Sequence, residues 1–134
     1  TWFAFFGSIF ATANHVLWGD TLWMSRFDPT IDPPACAASD NTRLHDTITS
    51  WADDRRRMEG ELQRWAREIT PADFAGDLTW YSGLNKCDMS SPKALAVTHF
   101  FNHQTHHRGQ IHGMLTATGR IAPASDLAFM PKEV

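Results

Sequence analysis

Five of the seven histidines in this 134-residue chain fall within fourteen consecutive positions: His99, His103, His106, His107 and His112. They occur in the run His99-Phe-Phe-Asn-His103-Gln-Thr-His106-His107-Arg108-Gly109-Gln110-Ile111-His112, where apolar residues are interleaved with the imidazoles, unlike in an affinity tag. In a helix, residues four apart share a face with Cβ atoms about 5–6 Å apart, so His103 stands beside His107 and His99 beside His103. Neutral imidazoles at that spacing can grip one divalent ion, at about 2.0–2.1 Å per nitrogen for zinc. Two ligands on one helix leave such a site incomplete, and a third must come from another element. The first helical segment offers only His15, within Ala13-Asn14-His15-Val16-Leu17. Taken alone, a lone histidine among apolar residues is more often a hydrogen-bonded core residue, and a histidine pair on one helix is often a surface coincidence. Together they favour a joint site. Three imidazoles leave coordination positions open, as in catalytic zinc sites. An ion so held can lower the pKa of bound water to about 7 or take a thiol as thiolate.

The elements that must position these residues are helical. Ile9, Ala13, Val16, Trp23 and Phe27 recur at helical spacing after a candidate N-cap, Ser8, which predicts a helix from Ser8 to Phe27. Leu17, Trp18, Leu22 and Met24 make its other sides apolar too, so it should be covered from several directions. A loop follows, through Asp28-Pro29 and Asp32-Pro33-Pro34. Leu44, Ile48, Trp51, Met58, Leu62, Trp65 and Ile69 then step by threes and fours, with Arg55 the one polar intruder. That predicts a second helix beginning at Asp40 or Asn41 and ending at Thr70-Pro71, with the run from Asp53 to Arg57 as its solvated face. Leu78-Thr79-Trp80-Tyr81 before Ser82-Gly83 suggests a short β-hairpin or an extended crossover. Ser90 or Ser91 with Pro92 should open the histidine helix, and Gly119 should close it. On that helix Ala96, Phe100, Met114 and Leu115 form an inward stripe with His103 and His107. His106 and His112 fall further round, and His99 is a ligand, a hydrogen-bond partner or a helix contact. Gly109 in mid-helix predicts a close approach by another backbone or a ligand. The tail from Ile121 to Val134 reads as an irregular wrap. The fold class is all-α, in one domain spanning 1–134.

Composition excludes several functions. Twelve Lys and Arg against fifteen Asp and Glu give a net charge of -3, so no basic field exists to collect nucleic-acid phosphates. No apolar run approaches the roughly 18 residues of a membrane span. Two cysteines, Cys36 and Cys87, are too few for a disulfide framework, and the cytoplasm is the expected compartment. Cys87 lacks an adjacent histidine, and Cys36 reads as a free loop thiol. Arg108 suits a substrate anion, but a salt bridge or dimer contact suits it better. Trp18, Trp23, Trp51 and Trp65 read as packing rather than stacking platforms. Asp20, five residues beyond His15, is the weak candidate for a general base.

The histidine run closely resembles the last-helix signature of the DinB family. Phe5-Phe6-Gly7-Ser8-Ile9, then Asn14-His15-Val16-Leu17-Trp18-Gly19-Asp20 and Trp23, resembles that family's second helix. The resemblance extends from Phe5 to about Leu127. It implies a four-helix bundle whose first helix precedes Phe5, so that either this helix is missing from this chain or the bundle is completed differently. It also implies a homodimer and a divalent-metal site made by His15, His103 and His107. Zinc or nickel would be the first candidates for the metal, iron or copper the alternatives. Superfamily enzymes use such an ion to activate a low-molecular-weight thiol toward a small electrophile, so thiol-dependent S-transfer is the implied activity. The alternatives are a metal-dependent hydrolase and a non-enzymatic, metal-stabilised stress-response module.

Overall fold

The computed structural model describes residues 5–129. Helix α1 (Ile9–Phe27) starts where the sequence places it: the Ser8 hydroxyl accepts a hydrogen bond from the Ala11 N–H at 3.0 Å. It ends at Asp28, whose extended backbone still donates its N–H to the Met24 carbonyl, immediately before Pro29. Nine of its residues are buried, because it packs against both other long helices. Leu17 and Met24 from α1 join Ile31, Met58, Trp65 and Phe100 in the core. Each of these side chains contributes roughly 1.5–3 kcal/mol through burial.

Helix α2 (Ile48–Glu68) begins later than its apolar pattern suggests. Residues Ala38–Arg43 form a 3-10 turn instead, and Thr47 is the true N-cap, accepting from the Ser50 N–H. The cause lies on α1. Buried Asn14 donates its amide N–H to the His45 carbonyl at 3.1 Å and accepts from the His45 N–H at 2.9 Å. That clamp satisfies the His45 backbone outside any helix, so the helix cannot run back to residue 41. Ile48 is correspondingly exposed, while Met58 and Trp65 face the core.

Strands β1 (Asp77–Ser82) and β2 (Cys87–Pro92) form the antiparallel hairpin, with Trp80 opposite Met89. The turn is longer than Ser82-Gly83: Lys86 closes it with a φ of 53° and an N–H bond to the Ser82 carbonyl. Ser90 and Ser91 belong to β2 and do not cap the next helix. Pro92 holds that position, and the Lys93 N–H is satisfied by the Gly76 carbonyl at 3.0 Å. Helix α3 (Lys93–Ala117) therefore grows directly out of the hairpin, which fixes its axial position against α1. It closes in a Schellman motif: Gly119 at φ 75° donates to Thr116, and Arg120 donates to Leu115. Ala96, Phe100, Gln104 and His107 form its buried stripe, and Met114 and Leu115 are half-buried. Beyond it the described tail is irregular apart from a 3-10 turn at Leu127–Phe129. Pro131 and the end of the expected wrap lie outside the described residues. Among the described residues the architecture is thus mostly helical with one two-stranded sheet.

Candidate metal centre

His15 projects from α1, and His103 and His107 from α3, across the packing surface of those two helices. One ring nitrogen from each lies within 4.8 Å of the other two. The ring centroids stand 4.6–5.0 Å apart. The structure thus brings together the three histidines that the sequence singled out. It places His99, His106 and His112 at exposed positions, with His99 packed edge-on against Trp23.

Hydrogen bonds around the cluster set which nitrogen of each ring carries the proton. The Asn41 amide donates to the Ala38 carbonyl, which turns its oxygen toward His15 Nδ1 at 2.8 Å. A carbonyl oxygen only accepts, so His15 Nδ1 donates and Nε2 keeps its lone pair. Gln110 Oε1 does the same for His107 Nδ1 at 2.7 Å. Partners of this kind orient and strengthen metal-binding imidazoles. His15 Nε2 lies 3.0 Å from His103 Nε2 and accepts the proton that His103 Nε2 donates. A cation between them would take that proton's place. Two nitrogens on one tetrahedral zinc ion stand about 3.3–3.4 Å apart. The 3.0 Å pair is therefore near the required separation, and the widest pair would close by up to about 1.5 Å, shared between two rings. The donor set and its spacing fit a divalent ion.

The electrostatics point the same way. Burial pushes the His103 pKa down to about 4, helped by the neighbouring imidazoles of His107, His15, His99 and His106. Burial also lowers His15, partly offset by its bond to Asn41 and reinforced by His107. Both rings are neutral at pH 7, the form that can bind a metal.

Two further neighbours, Phe6 and Gly19, shape the cluster that sequence patterns did not single out. The Phe6 ring covers His15 at 4.2 Å and reaches His107 at 5.5 Å, which gives the site an apolar wall. Gly19 leaves room for His103: a Cβ built on it would stand 2.9 Å from the imidazole Cε1. The close approach expected at Gly109 is found here instead. Gly109 has open space around it, being on the exposed side of α3. Gln104 is buried directly after His103, near Asp20.

Asp20, the candidate base, forms an ion pair across to α2. It is 1% exposed and ion-paired to Arg55, the polar intruder in the α2 stripe. Burial raises its pKa, opposed by the charge and hydrogen bond of Arg55. Arg108 is exposed. Trp18 and Trp51 act in packing, donating indole N–H groups to the Cys36 and Ala13 carbonyls. Cys87 is exposed on the hairpin and Cys36 half-buried in the loop. No described helix is long and apolar enough to cross a membrane.

A helical core whose first and last long helices pinch three imidazoles together defines the class of protein. The chain matches the family model described as "DinB family" over residues 3–133 and belongs to the DinB family. No curated protein and no solved structure matches it.

Proposed function

We propose that this protein is a metal-dependent enzyme that uses His15, His103 and His107 to hold a divalent ion with an open coordination position. Zinc or nickel is the first choice of metal, and iron or copper the alternative. The observation that carries the proposal is the convergence of three imidazole nitrogens, with the protonation of the His15 and His107 rings set by Asn41 and Gln110. When bound, the ion supplies Lewis acidity that lowers the pKa of a thiol or water in the open position. The chain's own part is orientation and exclusion of water. Asn41 and Gln110 hold two rings with their lone pairs inward, and Phe6 shields the His15 face.

We favour transfer of a low-molecular-weight thiol to a small electrophile, on DinB membership and on the want of a base. The hydrolytic alternative needs a proton acceptor beside the ion, and Asp20 is committed to Arg55. The same proposal expects a fourth helix to complete the bundle ahead of α1, and a homodimer. Isothermal titration of bacillithiol, mycothiol and glutathione into metal-loaded and chelator-stripped protein tests the thiol step. Saturable binding of one thiol that requires metal supports it. Failure of all three thiols to bind rejects the thiol step.

A further inference from the structure

A cavity of about 580 Å³ opens where the C-terminal end of α1 meets α2 and the start of α3. Arg26 on its rim lies eleven residues beyond His15 along α1, about 16 Å at roughly 1.5 Å per residue, so the cavity is separate from the histidine cluster. Its floor is apolar: Phe27 stacks on Trp65, with Ile69, Leu78 and Val97 around them.

The charges around the cavity are unevenly answered. Asp28 accepts from the Thr30 N–H, the Thr30 hydroxyl and Arg64. Glu68 is paired with Arg64 at 3.1 Å. Asp73 accepts from the Thr70 N–H and hydroxyl, closing its own capping box. Every acid is thus occupied by a neighbour. Of the two remaining cations, Lys93 lies close enough to Asp73 to help lower its pKa, and Arg26 answers no carboxylate. Neither Arg26 nor Lys93 is held by a side-chain ion pair among the described residues, although both are half-buried. Burial lowers the Arg26 pKa, and no carboxylate is close enough to raise it.

Arg26 is nonetheless held in place. Its guanidinium lies over the rings of Trp23 and Trp80, at 4.6 and 4.9 Å, and the two indole planes meet at 69°. Held over the rings and paired with no carboxylate, the guanidinium keeps N–H groups available for a planar anion, and carboxylate matches two of them in parallel bonds. The volume lies within the range of small-molecule sites, which are mostly apolar with a few placed polar groups.

We propose that this cavity binds a small amphipathic monoanion, a carboxylate on an apolar body, for which octanoate is the probe. Arg26 takes the carboxylate, Lys93 adds charge at the rim, and Phe27, Trp65 and Val97 receive the apolar body. The site operates independently of the histidines and is tested without them.

Octanoate is titrated into chelator-stripped protein and followed by calorimetry and by NMR of the Arg26 Nε–H and the Trp65 indole N–H. 1-Octanol and octylammonium serve as neutral and cationic controls. The expected result is saturable octanoate binding that shifts both signals, with octanol at least about tenfold weaker and octylammonium weaker still. Arg26→Met keeps an unbranched apolar side chain and removes the guanidinium. It should weaken octanoate by about tenfold or more and leave octanol unchanged, with an unaltered circular dichroism spectrum. Equal affinity for octanoate and octanol would overturn the proposal. So would octanoate binding that is indifferent to Arg26→Met, or signals that do not shift. Should Arg26→Met fail to fold, Lys93→Met and the three-ligand comparison on the unaltered chain decide, the same preference for octanoate being required. Loss of thiol or metal binding at the histidines would leave these outcomes untouched.

Discussion

Replacing Gly19 with alanine isolates the space that the third histidine needs. The added Cβ would stand 2.9 Å from His103 Cε1, where ordinary contacts run 3.4–4 Å, so the imidazole must retreat by about half an ångström or more. Metal–ligand distances tolerate only about 0.2 Å. Displacing one of three ligands by this route should weaken metal binding about 10–100-fold, the range seen when partners that orient ligands are lost. That corresponds to about 1.4–2.7 kcal/mol. The helix itself responds the other way. Alanine in a helix interior is favoured over glycine by up to about 1 kcal/mol, which offsets the strain of the moved ring. Chelator-stripped Gly19→Ala should therefore lie within about 1 kcal/mol of the parent in urea melts while its metal affinity falls. Competition against a chromophoric chelator reads the affinity. Parent-like affinity in a folded Gly19→Ala protein would refute the placement of His103 at the centre, and a collapse of the stripped fold would refute the ascribed role of Gly19.

Other consequences follow from named contacts. Arg55→Met leaves the 1%-exposed Asp20 carboxylate without its cation and should cost about 3 kcal/mol or more in urea melts at pH 7. The loss should shrink at pH 5, because a carboxyl whose pKa burial already raises can take up a proton; an equal cost at both pH values contradicts this. Asn41→Ala frees His15 Nδ1 and should weaken metal binding about tenfold, read by the same chelator competition. Metal-stripped protein should lose stability through His103 as pH falls from about 6.5 to about 4. Over that window the unfolded chain binds a proton that the folded ring refuses, and above it the residue adds no slope. A parallel pH series on His103→Gln should lack that component.

Much of the architecture was legible because it is set locally. Ser8 caps α1, Gly119 ends α3, and the run from Leu78 to Tyr81 before Ser82-Gly83 forms the hairpin rather than an extended crossover, each from signals within a few residues. The start of α2 was not, because a side chain 31 residues away fixes it: Asn14 holds the His45 backbone, and no local pattern between residues 40 and 48 records that. Ser90 and Ser91 looked like caps, yet β2 uses their backbone to pair with β1. At the site, the residues that chemistry needs could be found by type and spacing, since His103 and His107 share a helical face. Their support was harder to see. Asn41 lies 26 residues from His15, and Gly19 matters only because α3 passes beside it. Gln110 was the accessible exception, three residues from His107 on one face. Arg55 interrupted the α2 stripe for a reason that only packing reveals, a buried acid on α1.

Elemental analysis of untagged protein, purified without a metal column, bears most directly on the three-histidine centre. The parent chain should carry close to one divalent transition-metal ion per chain, and folded His103→Ala should lose it. A parent without metal that takes none up on dialysis, or a variant that retains the full complement, would contradict the centre described here.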